Sequence, residues 1–131
     1  MIKFVNLNPH PMRLRLNVAN LAAEPDPTDI VVEPRRGADG KPQPARVSTT
    51  PGGSLVPIDG MAAFDRTAYG AVDGLPEPQP DTIYLVSALI AGRPEIAGRD
   101  DVFVPGTGPK DGTVRDANGH VYAVTRIIKA G

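Results

Sequence analysis

His10 and His120 are the only side chains in this 131-residue chain whose ordinary titration lies near neutrality, and there is no cysteine. Disulfides, thiolate zinc ligands and cysteine nucleophiles are thereby removed together. A serine or threonine nucleophile needs a base within hydrogen-bond reach. His10 stands between Pro9 and Pro11, and His120 follows Asn118-Gly119, so they read as a turn histidine and a strand-end histidine. Gly52-Gly53-Ser54-Leu55-Val56 lacks the closing glycine of a nucleophile elbow. No His-x-His or His-x-x-x-His pair is present to seed a metal site. Gly106-Thr107-Gly108-Pro109-Lys110-Asp111-Gly112-Thr113 is glycine-rich and carries a lysine, but its spacing is not that of a phosphate-binding loop. Asp100 and Asp101 are adjacent, and adjacent strand residues face opposite ways, so they would not share a substrate. The expectation is a non-enzymatic protein with no cofactor and no metal.

Arginine placement remains. Arg46 lies inside an apolar run, Arg99 opens another, and Arg115 precedes a turn. A guanidinium on a rigid element is the usual reader of phosphate or carboxylate. Arg46, Arg99 and Arg115, with Tyr84 or Tyr69 as a stacking surface, form the candidate ligand-binding set. The competing account pairs Arg99 with Asp100 or Asp101, and Arg115 with Asp116.

The elements that would hold these residues can be read from composition and pattern. The chain has 14 glycines and 15 prolines, about twice the ordinary share, which argues against a bundle or coiled coil. Met12 to Val18 alternates apolar and polar, predicting a half-buried strand that pairs with Ile2–Leu7 as an antiparallel hairpin across Asn8–Pro11. Further strands are expected at Ile30–Val32, Ala45–Thr50, Thr82–Val86 and Asp101–Val104, with weaker signals at Ser54–Pro57 and Met61–Tyr69. Thr113–Arg115 and His120–Ile128 flank Asn118-Gly119, a strong hairpin signal. Residues 87–91 change to helix formers behind Ser87, predicting one short helix. Residues 24–44 read as an irregular Pro-rich arm. The expected fold is a mostly antiparallel, β-rich α+β domain spanning residues 1–131, with seven to nine strands, that short helix and the Pro/Gly-rich arm.

Charge sets bounds on partners. The chain is 40% apolar with a net charge of −1 and an isoelectric point near 6.1, which disfavours a nucleic-acid polymer as partner. The sign nevertheless alternates in blocks. Residues 1–20 carry Lys3, Arg13 and Arg15 without an acid, whereas residues 21–34 carry Glu24, Asp26, Asp29 and Glu33 without a base. No apolar run approaches the ~20 residues of a membrane span. The opening residues lack a leader's apolar core, so a cytoplasmic protein is expected.

Phe4-Val5-Asn6-Leu7-Asn8-Pro9-His10, Gly74-Leu75-Pro76, Thr82-Ile83-Tyr84-Leu85-Val86-Ser87, Gly98-Arg99-Asp100-Asp101-Val102, Val104-Pro105-Gly106 and Val114-Arg115-Asp116 occur in that order. The ordered set resembles a widespread family of small phage, prophage and actinobacterial proteins that open with Asn-Leu-Thr-Pro-His. Here Asn8 replaces the usual threonine, and the stretch 33–44 is longer. The resemblance implies a phage or prophage setting and carries no activity. Two readings follow. The first is a binding protein, a sponge that sequesters a phosphorylated small molecule such as a nucleotide second messenger of host defence. The second is a structural or protein-interaction module that engages a phage or host protein through the 24–44 arm. Either is compatible with a homo-oligomer.

Overall fold

The computed structural model describes residues 2–54 and 65–131, with backbone alone across residues 48–54 and 65–70. Among the described residues there are ten strands: β1 (Lys3–Asn6), β2 (Met12–Leu14), β3 (Ile30–Val32), β4 (Arg46–Ser54), β5 (Asp65–Asp73), β6 (Thr82–Leu85), β7 (Val102–Pro105), β8 (Val114–Arg115), β9 (Val121–Ala123) and β10 (Ile127–Lys129). The fold is β-rich, as composition required. The weak strand signals at Ser54–Pro57 and Met61–Tyr69 lie partly outside the described residues.

One four-stranded sheet, ordered β1-β6-β7-β10, organises the chain. The pairs β1–β6 and β6–β7 are parallel, and β10 closes the sheet antiparallel to β7. The sheet is therefore mixed, a correction to the mostly antiparallel expectation at the centre of the fold. β6 shows why it is central. Tyr84 and Val86 enter one apolar cluster with Leu7, Ile90, Ile96, Val102 and Val104. Leu85, with Ile83 beside it, enters another cluster on the opposite face with Met12, Leu14 and Val124. A strand buried on both faces needs a continuous apolar run, and Thr82-Ile83-Tyr84-Leu85-Val86 supplies one.

The expected β1–β2 hairpin does not form. β1 pairs with β6, whereas β2 pairs antiparallel with β3. β2 also stops at Leu14, because Arg15 turns inward to a buried carboxylate while Leu16 and Val18 are left 63% exposed. Strict alternation misled here, since an internal salt bridge outweighed the period-2 pattern. β4 continues past the expected stop at Pro51, which pairs with Thr67. A two-stranded ribbon tolerates proline because one edge of each strand needs no donor.

The helix expected at 87–91 is absent. Ile90 N–H donates to Ser87 O, Ala91 N–H to Ala88 O and Arg93 N–H to Ile90 O, a series of turns leading into a 3-10 turn at Pro94–Ile96. Gly92 at φ +76° and the following Pro94 cut the segment before a helical nucleus can propagate. The hairpin at Asn118-Gly119 does form, joining β8 to β9. In the Pro-rich stretch, Arg35 N–H donates to Asn6 O and Gln43 N–H to Arg35 O. Ala45 N–H donates to Leu7 O, so β4 begins beside the end of β1.

Candidate functional site

Because β1, β6 and β7 run parallel, their carboxyl ends open on the same side of the sheet. Asn8 follows β1, Ser87 follows β6, and Thr107 follows β7. All three line one cleft of about 670 Å³, closed on its far side by β9 and its approach through His120 and Tyr122. The ends of adjacent parallel strands are where chain exits separate and leave a crevice, which is why ligands so often occupy that place. His10 also lines this cleft, so the two histidines, 110 positions apart in sequence, share it.

The His10 turn is built from below. Asn6 is 1% exposed, and its side-chain amide donates to His10 O at 2.8 Å and to Val32 O at 2.9 Å. Its Oδ1 accepts the Asn8 N–H at 2.9 Å. Pro9 and Pro11 fix φ on either side of His10. A buried amide with its donors and acceptor engaged fixes the turn's position relative to the sheet. On the opposite bank, Asp116 Oδ1 accepts the N–H groups of Asn118 and His120 at 2.9 and 3.0 Å, shaping the hairpin that presents His120. The His120 ring lies 3.8 Å from the Asp116 carboxylate and is 80% exposed.

A second pocket, of about 420 Å³, adjoins the first: Asn8, His10 and Ser87 line both, and Arg46 lines only the smaller one. The Ala45-to-Leu7 hydrogen bond brings Arg46 there. Among the described residues the Arg46 guanidinium has no hydrogen-bond or ion-pair partner, and Arg46 is exposed.

The chain matches no family model, no curated protein and no solved structure. Geometry must carry the functional reading.

The other expected ligand residues sit elsewhere. Arg99 forms a two-pronged pair with Asp101, at 2.7 and 2.9 Å, and donates to Pro76 O at 3.0 Å. That hydrogen-bonded pairing holds the Asp101 carboxyl below its ordinary range and raises Arg99. Tyr84, 3% exposed, sits with its ring 5.9 Å from the Arg99 guanidinium and donates its hydroxyl to Glu77 O. These two residues are brought together, but as a clasp that fastens the 76–77 connection to the sheet. Arg115 donates to Gly119 O and Thr107 O, tying the hairpin to the loop after β7. The Tyr69 side chain lies outside the described residues. Of the expected set, Arg46 lines the pocket that shares Asn8, His10 and Ser87 with the histidine cleft, and Arg115 lines another, of about 510 Å³, that shares Thr107 with it.

A further cluster holds the segment after β2. The Arg15 guanidinium binds both oxygens of Asp29, at 2.9 and 3.2 Å, and donates to the carbonyls of Asn20, Ala22 and Glu24. Arg13 joins Asp29 at 3.0 Å and lies 4.9 Å from the Tyr122 ring centre. The Arg15 hydrogen bonds lower the Asp29 pKa to about 2. Hydrogen bonds from Thr28, then Asn20, lower Asp26 to about 2.

Sequence reasoning passed over Asn8, His10, Ser87, His120 and Tyr122 as residues of one site. No spacing rule joins them, because three separate chain exits and a hairpin assemble the cleft. One signal was present: the quoted segments that run through Asn8-Pro9-His10, Ser87 and Pro105 all terminate strands.

Proposed function

We propose that this protein is a non-enzymatic binding protein that holds a phosphorylated small molecule in the paired pockets at the carboxyl ends of β1, β6 and β7. The observation that carries the reading is the Arg46 guanidinium, without a partner among the described residues, beside a crevice already furnished with His10 and Ser87. A guanidinium matches a phosphoryl group with two parallel N–H donors. The Ser87 hydroxyl and the His10 ring add donors that need no rearrangement of the sheet. Arg99 is engaged by Asp101, and both terminal nitrogens of Arg115 are engaged by the Gly119 and Thr107 carbonyls. In the phage or prophage setting implied by the resemblance, holding a phosphorylated molecule amounts to sequestration.

Calorimetric titration with phosphorylated metabolites tests this. Arg46→Ala should weaken binding about ten- to a hundredfold through loss of a charge-assisted contact, and the ligand should be recovered chemically unchanged. Equal binding by Arg46→Ala and the parent protein would reject the site.

A second reading, a protein-interaction module, has its own observation. Leu16, Val18 and Leu21 are 54–63% exposed on a segment held by the buried Arg15. An apolar loop fixed in water is a feature of contact surfaces. Light scattering of the parent and a Leu16→Asp/Leu21→Asp variant across a concentration series tests whether this loop joins copies of the chain.

A further inference from the structure

The two pockets differ in chemistry, and the difference bears on what spans them. The larger pocket has Met12, Val121 and Val124 among its walls, with the Tyr122 ring and the His120 imidazole at one side, and Arg13, which also lines it over the Tyr122 ring, is held by Asp29. The smaller has the Arg46 guanidinium, which has no partner among the described residues. His10 and Ser87 stand at the junction of the two. We infer that the ligand joins a flat ring system to an anionic group, with the ring in the larger pocket against Tyr122 and His120 and the anion in the smaller pocket on Arg46.

This inference rests on the binding reading above and deepens it. An inorganic anion would answer Arg46 and leave the larger space, with its Tyr122 and His120 rings, to water. A neutral ring compound would fill the larger space and leave a guanidinium unanswered. A nucleoside monophosphate has both parts, a heteroaromatic ring and a phosphoryl group separated by a sugar, and so represents the class. Aromatic rings are held by apolar walls and by edge or face contacts with Tyr and His, while Arg provides the planar fork for the oxyanion. Covalent joining makes capture of the second part intramolecular once the first is seated.

Three probes separate the parts: adenosine monophosphate, adenosine and inorganic phosphate, each titrated into the intact protein by calorimetry. The monophosphate should bind at least about tenfold more tightly than either fragment. Arg46→Ala should bring the monophosphate down to the affinity of adenosine. Ala88→Trp, a change at an exposed residue lining only the larger pocket, should bring it down to the affinity of phosphate. Phosphate binding with no gain from the attached nucleoside would overturn this inference and leave the binding reading standing. No binding of phosphate or monophosphate would overturn both. Circular dichroism of each variant, expected to superpose on the parent, separates loss of binding from loss of fold.

Discussion

Three arginines of similar appearance in the sequence have three different fates. Arg99 is held by Asp101, Arg115 by two carbonyls, and Arg46 lacks a partner among the described residues. The Arg99–Asp101 pairing was legible, since the two stand two positions apart. The burial of Arg15 was not, because its partner Asp29 arrives from a loop 14 positions later. Arg15→Met should lower the melting temperature by about 10 °C or more, since it strands the Asp29 carboxylate, whose side chain is 3% exposed. An unchanged melting temperature would show the cluster to be ornamental. The same cluster sets an acid limit. Asp26 and Asp29 have folded pKa values of about 2 against an ordinary 3.8, so their stabilisation is present above pH 4. It is lost as the pH falls from about 4 towards 2, where the unfolded chain binds protons first. Thermal unfolding across that range should show the loss, and Asp29→Asn should flatten the slope.

At the scale of elements, β3, β6, β7 and the β8–β9 hairpin follow from local pattern alone: a β-branched island, two apolar runs closed by turn residues, and an Asn-Gly turn with Gly119 at φ +81°. Pairing was less legible than existence. Nothing in the Asn8–Pro11 turn says that β1 passes over its sequence neighbour to pair with β6, and parallel partners are always remote in the chain. The short helix failed because helix formers at 87–91 had too few residues before Gly92 and Pro94. The β2 boundary gives a direct test. Leu14→Asp buries a carboxylate at a site 7% exposed and should abolish cooperative unfolding, whereas Leu16→Asp, at a site 63% exposed, should shift the melting temperature by only a degree or two. Similar effects at both positions would mean that the strand continues through Leu16.

Across the whole molecule, a mixed sheet with an apolar cluster on each face fixes three parallel strand ends side by side. The turns leaving those ends bring Asn8, His10, Ser87 and Thr107 to one cleft, and the start of β4 sets Arg46 beside it. The cleft is thus a consequence of parallel topology, which is why residue spacing did not disclose it. Where an anion settles on this surface decides whether the site is real. Amide chemical shifts of the isotope-labelled protein, followed by NMR while inorganic phosphate is added, locate the anion whatever the natural ligand is. The shifts should concentrate at Asn8, His10, Arg46 and Ser87 and vanish from that set in Arg46→Ala. Shifts concentrated around Arg99 or Arg115, or a pattern unaltered by Arg46→Ala, would contradict a phosphate site at the parallel strand ends.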